Sequence, residues 1–92
     1  MPSVADRIHA KLTDALAPSR LAVRDESHRH AGHAGARPEG ETHFHVEIVA
    51  AAFAGKSRIS RQRLVYDVLA EELAGPIHAL SLVTLAPNED RG

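Results

Sequence analysis

The 92-residue chain has no cysteine and no tryptophan. Without cysteine there can be no disulfides, no cysteine-bearing zinc fingers and no iron–sulfur centre held by the chain's own thiolates. Aromatic residues are scarce, being Phe44, Phe53 and Tyr66 only, so the core must be aliphatic. No apolar run approaches the roughly 20 residues of a membrane span. The opening MPSVADRIHAKLTDAL carries Asp6 and Asp14 and lacks the apolar stretch of a signal peptide. An excess of charge of either sign is also missing. Eleven Lys and Arg stand against twelve Asp and Glu, for a net charge of −1, which argues against strong non-specific binding to nucleic acid. These absences lead us to expect a soluble, cytoplasmic protein without a membrane partner.

Histidine is what the chain has in quantity. Of seven, five fall in ESHRHAGHAGARPEGETHFH: His28, His30, His33, His43 and His45. A metal site, a pH-sensitive surface and a polar loop that happens to use histidine all fit this clustering. The spacing His28-x-His30-x-x-His33 could chelate a divalent metal, since imidazole suits zinc, copper, nickel and iron. Ordering a flexible loop costs entropy, however, so such a site would be weak and unselective.

The length allows one domain over residues 1–92, with an ordered core expected over about 3–86. A chain this short buries only about 60–65% of its unfolded surface, so it must build one compact core. Val4, Ile8, Leu12 and Leu16 recur every four residues after Ser3, which predicts an amphipathic helix over 3–17 ended by Pro18. RLAVRDE (20–26) alternates as a short strand. Residues 27–40 contain three glycines, one proline and no hydrophobic period, and are expected to form a mobile His/Gly-rich loop. THFHVEIVA (42–50) sets Phe44, Val46 and Ile48 on one face and His43, His45 and Glu47 on the other, as in a half-wet antiparallel strand. After a turn at Gly55, the residues Ile59, Leu64, Val65, Val68, Leu69 and Leu73 follow helical spacing up to Gly75-Pro76. HALSLVTL (78–85) reads as a strand with Leu80 and Leu82 on the face of His78, and 87–92 as a fraying tail. The order α-β-β-α-β predicts an α+β domain of two layers, a three-stranded sheet with helices on one face. Phe44, Val46, Ile48, Leu64, Leu69, Leu80 and Leu82 are the expected core.

Lys56, Arg58, Arg61 and Arg63 lie around the start of the second helix with no acid among them. Cations at that end oppose the helix dipole. Helix stability therefore did not select them, and they mark either a binding end or a solvated face. Arg61 and Arg63 are both expected to be exposed.

DESHRHAGH, ETHFHVEIV, RQRLVYDVLAEEL and GPIHALSL, in this order, resemble the BolA family over roughly residues 4–86. The resemblance implies a class II KH-like α-β-β-α-β fold. No enzymatic activity is expected, because the chain has no cysteine nucleophile and Ser57 and Ser60 have no evident base–acid partners in sequence. The resemblance also implies a monothiol glutaredoxin as partner and a [2Fe–2S] cluster shared between glutaredoxin, its bound glutathione and two BolA side chains, with no cofactor in the isolated protein. Of those side chains the final-strand ligand matches His78 and the loop ligand best matches His30. His28 and His33 are alternates for the loop ligand, and His43 is a more distant one. The chain alone is expected to be a monomer or a weak homodimer. Some relatives are described as DNA-binding, so the alternative is a transcriptional regulator that uses the basic leading end of the second helix. Against this, Ala54-Gly55-Lys56-Ser57 stands where KH domains carry their GxxG phosphate grip and has a single glycine.

Overall fold

The computed structural model describes residues 3–26 and 43–90. Helix α1 (Val4–Leu16) begins at a reciprocal cap. The Asp6 N–H donates to the Ser3 hydroxyl at 3.0 Å, and the Ser3 N–H donates to the Asp6 carboxylate at 3.2 Å. The helix ends at Ala17 in the left-handed region (φ 44°), just before Pro18. Its apolar stripe buries Ile8 and Leu12, with Val4, Ala5 and Leu16 packed at the margin.

Strand β1 (Arg20–Asp25) pairs antiparallel with β2 (His43–Val49), from Arg20 opposite Val49 to Asp25 opposite Phe44. Strand β3 (Ala79–Leu85) lies parallel to β2, from His43 opposite Ala79 to Val49 opposite Leu85. The sheet order is β1-β2-β3, so β2 is central. Its two-residue period works as the sequence predicts: Phe44, Val46 and Ile48 are buried, while His43, His45 and Glu47 are half-buried.

A parallel pair needs a long crossover. Here it runs through a 3-10 turn (Ala51–Phe53), α2 (Arg58–Val68) and α3 (Ala70–Ala74). Gly55, at φ 74°, makes the reversal before α2 and would be strained as any L-residue. Ser57 caps α2 by accepting the Ser60 N–H at 3.1 Å. The helix breaks at Leu69 (φ −100°, ψ 18°), which the spacing alone does not reveal.

The core differs from expectation in three ways. Phe44, Val46, Ile48 and Leu69 are buried, but Leu64, Leu80 and Leu82 are only partly buried at its margin. Ile59, which follows the same helical spacing as Leu64 and Leu69, is 65% exposed. It sits in the first turn of α2. Phe53 and Ile77, placed by the sequence in a turn and a connection, are core residues.

Polar contacts fasten the layers. Glu72 is fully buried, receiving Arg7 at 2.8 Å and Lys11 at 3.0 Å from α1. Burial pushes its carboxyl up, but the hydrogen bonds from Lys11, its own backbone and Arg7 outweigh this and hold it below the usual carboxylate range. The expected fraying of 87–92 is corrected for residues 87–90. Pro87–Glu89 forms a 3-10 turn, Glu89 accepts the Ala86 N–H at 2.8 Å, and Asp90 takes both ends of the Arg20 guanidinium at 2.8 and 3.2 Å. No helix among the described residues is long and apolar enough to cross a membrane.

Candidate functional site

Histidines gather at one end of the sheet because of strand register. His43 opens β2 and lies opposite Ala79, which places it beside His78 at the entry to β3. His78 occupies a bend one residue before the strand, not the strand itself. The alternation that was to put it on the Leu80 and Leu82 face therefore does not reach it, and its side chain is exposed. Its backbone is nonetheless held from both sides. Ile77 is buried, with its N–H donating to the Glu72 carbonyl at 3.0 Å, and Ala79 begins the ladder. The anchor is thus Ile77, a residue the sequence reading passed over although it is the one apolar side chain between Pro76 and His78.

The His43 and His78 rings stand edge to face, 6.4 Å between centroids and 70° between planes. His45 is the next histidine along β2. Its Nδ1 lies 3.1 Å from the hydroxyl of Ser81, its cross-strand partner, and its Nε2 lies 4.0 Å from Glu47. His28, His30 and His33 lie outside the described residues. Both ends of the segment that carries them meet at this site, because the Glu26 N–H donates to the His43 carbonyl at 2.8 Å. Chain geometry gives a reach of about 3.3–3.6 Å per residue. His28 and His30 follow Glu26 by two and four residues. Among the described residues no group of three or more His, Asp or Glu side chains comes together as a metal cage. The described residues therefore bring two imidazoles together at this end.

The basic cluster divides. Lys56, Arg58 and Arg63 are exposed. Arg61 is not, and the expectation that it would be is corrected: its side chain is 12% exposed. Its guanidinium donates to the Glu89 carboxylate at 2.6 and 3.2 Å, to the Thr84 carbonyl at 3.0 Å and to the Lys56 carbonyl at 3.0 Å. The bond to Glu89 raises the Arg61 pKa, and Glu89 is correspondingly lowered. Arg61 thus ties α2 to β3 and to the turn after it. Lys56, Arg58, Arg61 and Glu89 line a cleft of about 440 Å³ together with Leu82, Val83, Thr84 and Leu85. This cleft adjoins the far half of β3, about 16 Å along the strand from the histidine end at roughly 3.3 Å per residue.

A mixed three-stranded sheet packed on helices in the order α-β-β-α-β, with two imidazoles side by side where β2 and β3 begin, defines a small α+β domain. The chain belongs to the BolA-like protein family, whose model matches residues 12–89. It is 49% identical over 87 residues to SufE-like protein 1, chloroplastic/mitochondrial, of Arabidopsis thaliana, across 90% of this chain and 24% of that protein. It is 48% identical over 84 residues to BolA-like protein 1 of Mus musculus, across 91% of this chain and 58% of that one. The chain thus spans about a quarter of the first relative and somewhat over half of the second. Among solved structures, the BolA domain of SufE1 from Arabidopsis thaliana matches with a TM-score of 0.85 and 47% identity, covering 98% of this chain and 99% of that one. The α+β architecture expected from periodicity is therefore that of the family, and the KH-like description is compatible with it.

Proposed function

We propose that this chain is an iron–sulfur adaptor, not a catalyst, and that it acts with a monothiol glutaredoxin in a reducing cytoplasm. In this reading His78 is the fixed ligand to a shared [2Fe–2S] cluster, His30 is the loop ligand, and His28 and His33 are its substitutes. The observation that carries the proposal is the meeting of His43 and His78 at the sheet end from which the histidine-rich segment departs. The donor set fits such a group, since imidazole binds iron and Rieske centres use two histidines on one iron. In this reading two donors come from this chain, and the partner's thiolates fill the remaining positions. Likeness to the BolA domain of a SufE-like protein supports a role in iron–sulfur related processes.

Imidazole suits a carrier. It is neutral as a ligand and can be protonated near neutral pH, so its hold on metal is exchangeable. A backbone fixed at Ile77 and Ala79 keeps one donor in place while a second arrives from the loop. His43, 6.4 Å from His78 between ring centroids, is the next candidate for that second donor.

The second reading is a DNA-binding regulator, favoured by the exposed Lys56, Arg58 and Arg63 at the start of α2. One experiment separates the two. The protein is mixed with glutathione-loaded monothiol glutaredoxin, iron and sulfide, and the visible spectrum is recorded. A spectrum distinct from that of the glutaredoxin homodimer supports the adaptor. An unchanged spectrum, with salt-dependent shifts of duplex DNA in the absence of glutaredoxin, supports the regulator.

A further inference from the structure

Strand β3 is the outer strand of the sheet on the side away from β1. The Ala50 N–H donates to the Leu85 carbonyl at 3.0 Å, so the backbone of Leu85 faces the β2 side. By the two-residue alternation of a strand, Val83 and Ser81 face that way too, while Leu80, Leu82 and Thr84 turn their N–H and C=O groups outward. Among the described residues only one of these outward groups is taken, the Thr84 carbonyl, by Arg61 at 3.0 Å. A row of unpaired backbone groups is a template for another strand. Natural edges are commonly blunted by a charged side chain directed inward or by a covering element. Here Arg61, directed onto the Thr84 carbonyl, blunts the edge at that one point, and a cleft of about 440 Å³ lies beside residues 82–85.

The chemistry of the cleft selects its occupant. Lys56 and Arg58 are exposed at its rim with no ion-pair partner among the described residues, whereas Arg61 is neutralised by Glu89. Its floor is apolar, from Leu82, Val83 and Leu85. Ile59, next along from Arg58, is one of two large hydrophobic residues left exposed among the described residues. We propose that the β3 edge and this cleft bind an extended acidic peptide, which adds as a fourth strand and sets its carboxylates against Lys56 and Arg58. Main-chain hydrogen bonds give such a complex its affinity and alternate side chains its specificity. Single-stranded nucleic acid fits less well. None of the lining residues is aromatic and able to stack a base, and the preceding turn has one glycine. The cleft lies toward the other end of β3 from His78 and no histidine lines it, so the peptide site stands whether or not the histidines ligate a cluster.

The test uses a fluorescein-labelled six-residue peptide of alternating Glu and Val, the same peptide with Lys for Glu, and an oligothymidylate, titrated by anisotropy against the full chain. Binding of the Glu peptide alone is expected. It should weaken about tenfold or more in Lys56→Glu/Arg58→Glu, both exposed sites where folding is unaffected. Amide hydrogen exchange should slow at Leu80, Leu82 and Thr84 on adding the peptide. Equal binding of the Lys peptide, binding unaltered by the charge reversals, or protection elsewhere overturns the proposal. So does preference for oligothymidylate, or protection of the same amides without peptide in a self-associated dimer.

Discussion

Glu72 offers a perturbation whose size follows from the structure. Glu72→Gln keeps the shape and removes the charge that receives Arg7 and Lys11. A hydrogen bond to a charged group contributes about 1.5–3 kcal/mol. The two cationic side chains are 41% and 32% exposed and regain water when released, so the loss is well below the sum for two such bonds. We expect about 2 kcal/mol, which for a domain of this size lowers the thermal midpoint by about 8–16 °C. The effect must depend on pH with a definite sign. Because the folded carboxyl is held below its ordinary value of 4.5, its contribution is complete above that value and is lost as the pH falls through the folded value. Glu47 and Glu89 are also lowered, by Arg20 and Arg61, so wild type loses stability from several groups in the same acid range. The informative quantity is therefore the difference between wild type and variant in urea unfolding, measured at pH 7 and again near pH 3. It should be full at the first and shrink at the second, while Glu71→Gln, on an 83% exposed side chain, changes little at either. A Glu72→Gln protein as stable as wild type at pH 7, or a gap that persists undiminished at pH 3, refutes the reasoning.

Leu69→Ala should cost about 2–5 kcal/mol in chemical unfolding, since Leu69 is fully buried at the junction of α2 and α3; an unchanged midpoint contradicts that packing. Arg63→Glu should leave the thermal midpoint where it is, whereas Arg61→Glu should lower it by removing the contacts to Glu89 and Thr84, and equal midpoints by differential scanning fluorimetry would deny the tie.

Much of the fold was legible because its signals are local. The α1 stripe and its Ser3 cap, the alternation of β2 and the stop at Gly75-Pro76 depend on neighbours within a few residues. What escaped depends on distant partners. Arg61 reads as a surface cation until Glu89 and Thr84 arrive from beyond the crossover. Phe53 and Ile77 stand in short connections where no period can form, so their burial follows only from how the crossover closes over the sheet. Glu72 left a trace that could have been found, as it continues the face of Val65 and Leu69 at helical spacing and is buried with them. At the candidate site the sequence singled out His78 and ranked His43 as a ligand of last resort, but their contact arises from the parallel register of β2 and β3, which no single strand encodes. His28, His30 and His33 remain a reading of the sequence and its family resemblance.

Ligand substitution in the reconstituted heterodimer addresses the adaptor function. His78→Ala should abolish the spectrum that distinguishes the heterodimer from the glutaredoxin homodimer, and His30→Ala should only weaken it. The triple change His28/His30/His33→Ala should match His78→Ala in severity. A His78→Ala protein that keeps the wild-type spectrum and cluster lifetime would contradict the proposed ligation. A triple variant that keeps both would move the second ligand to His43.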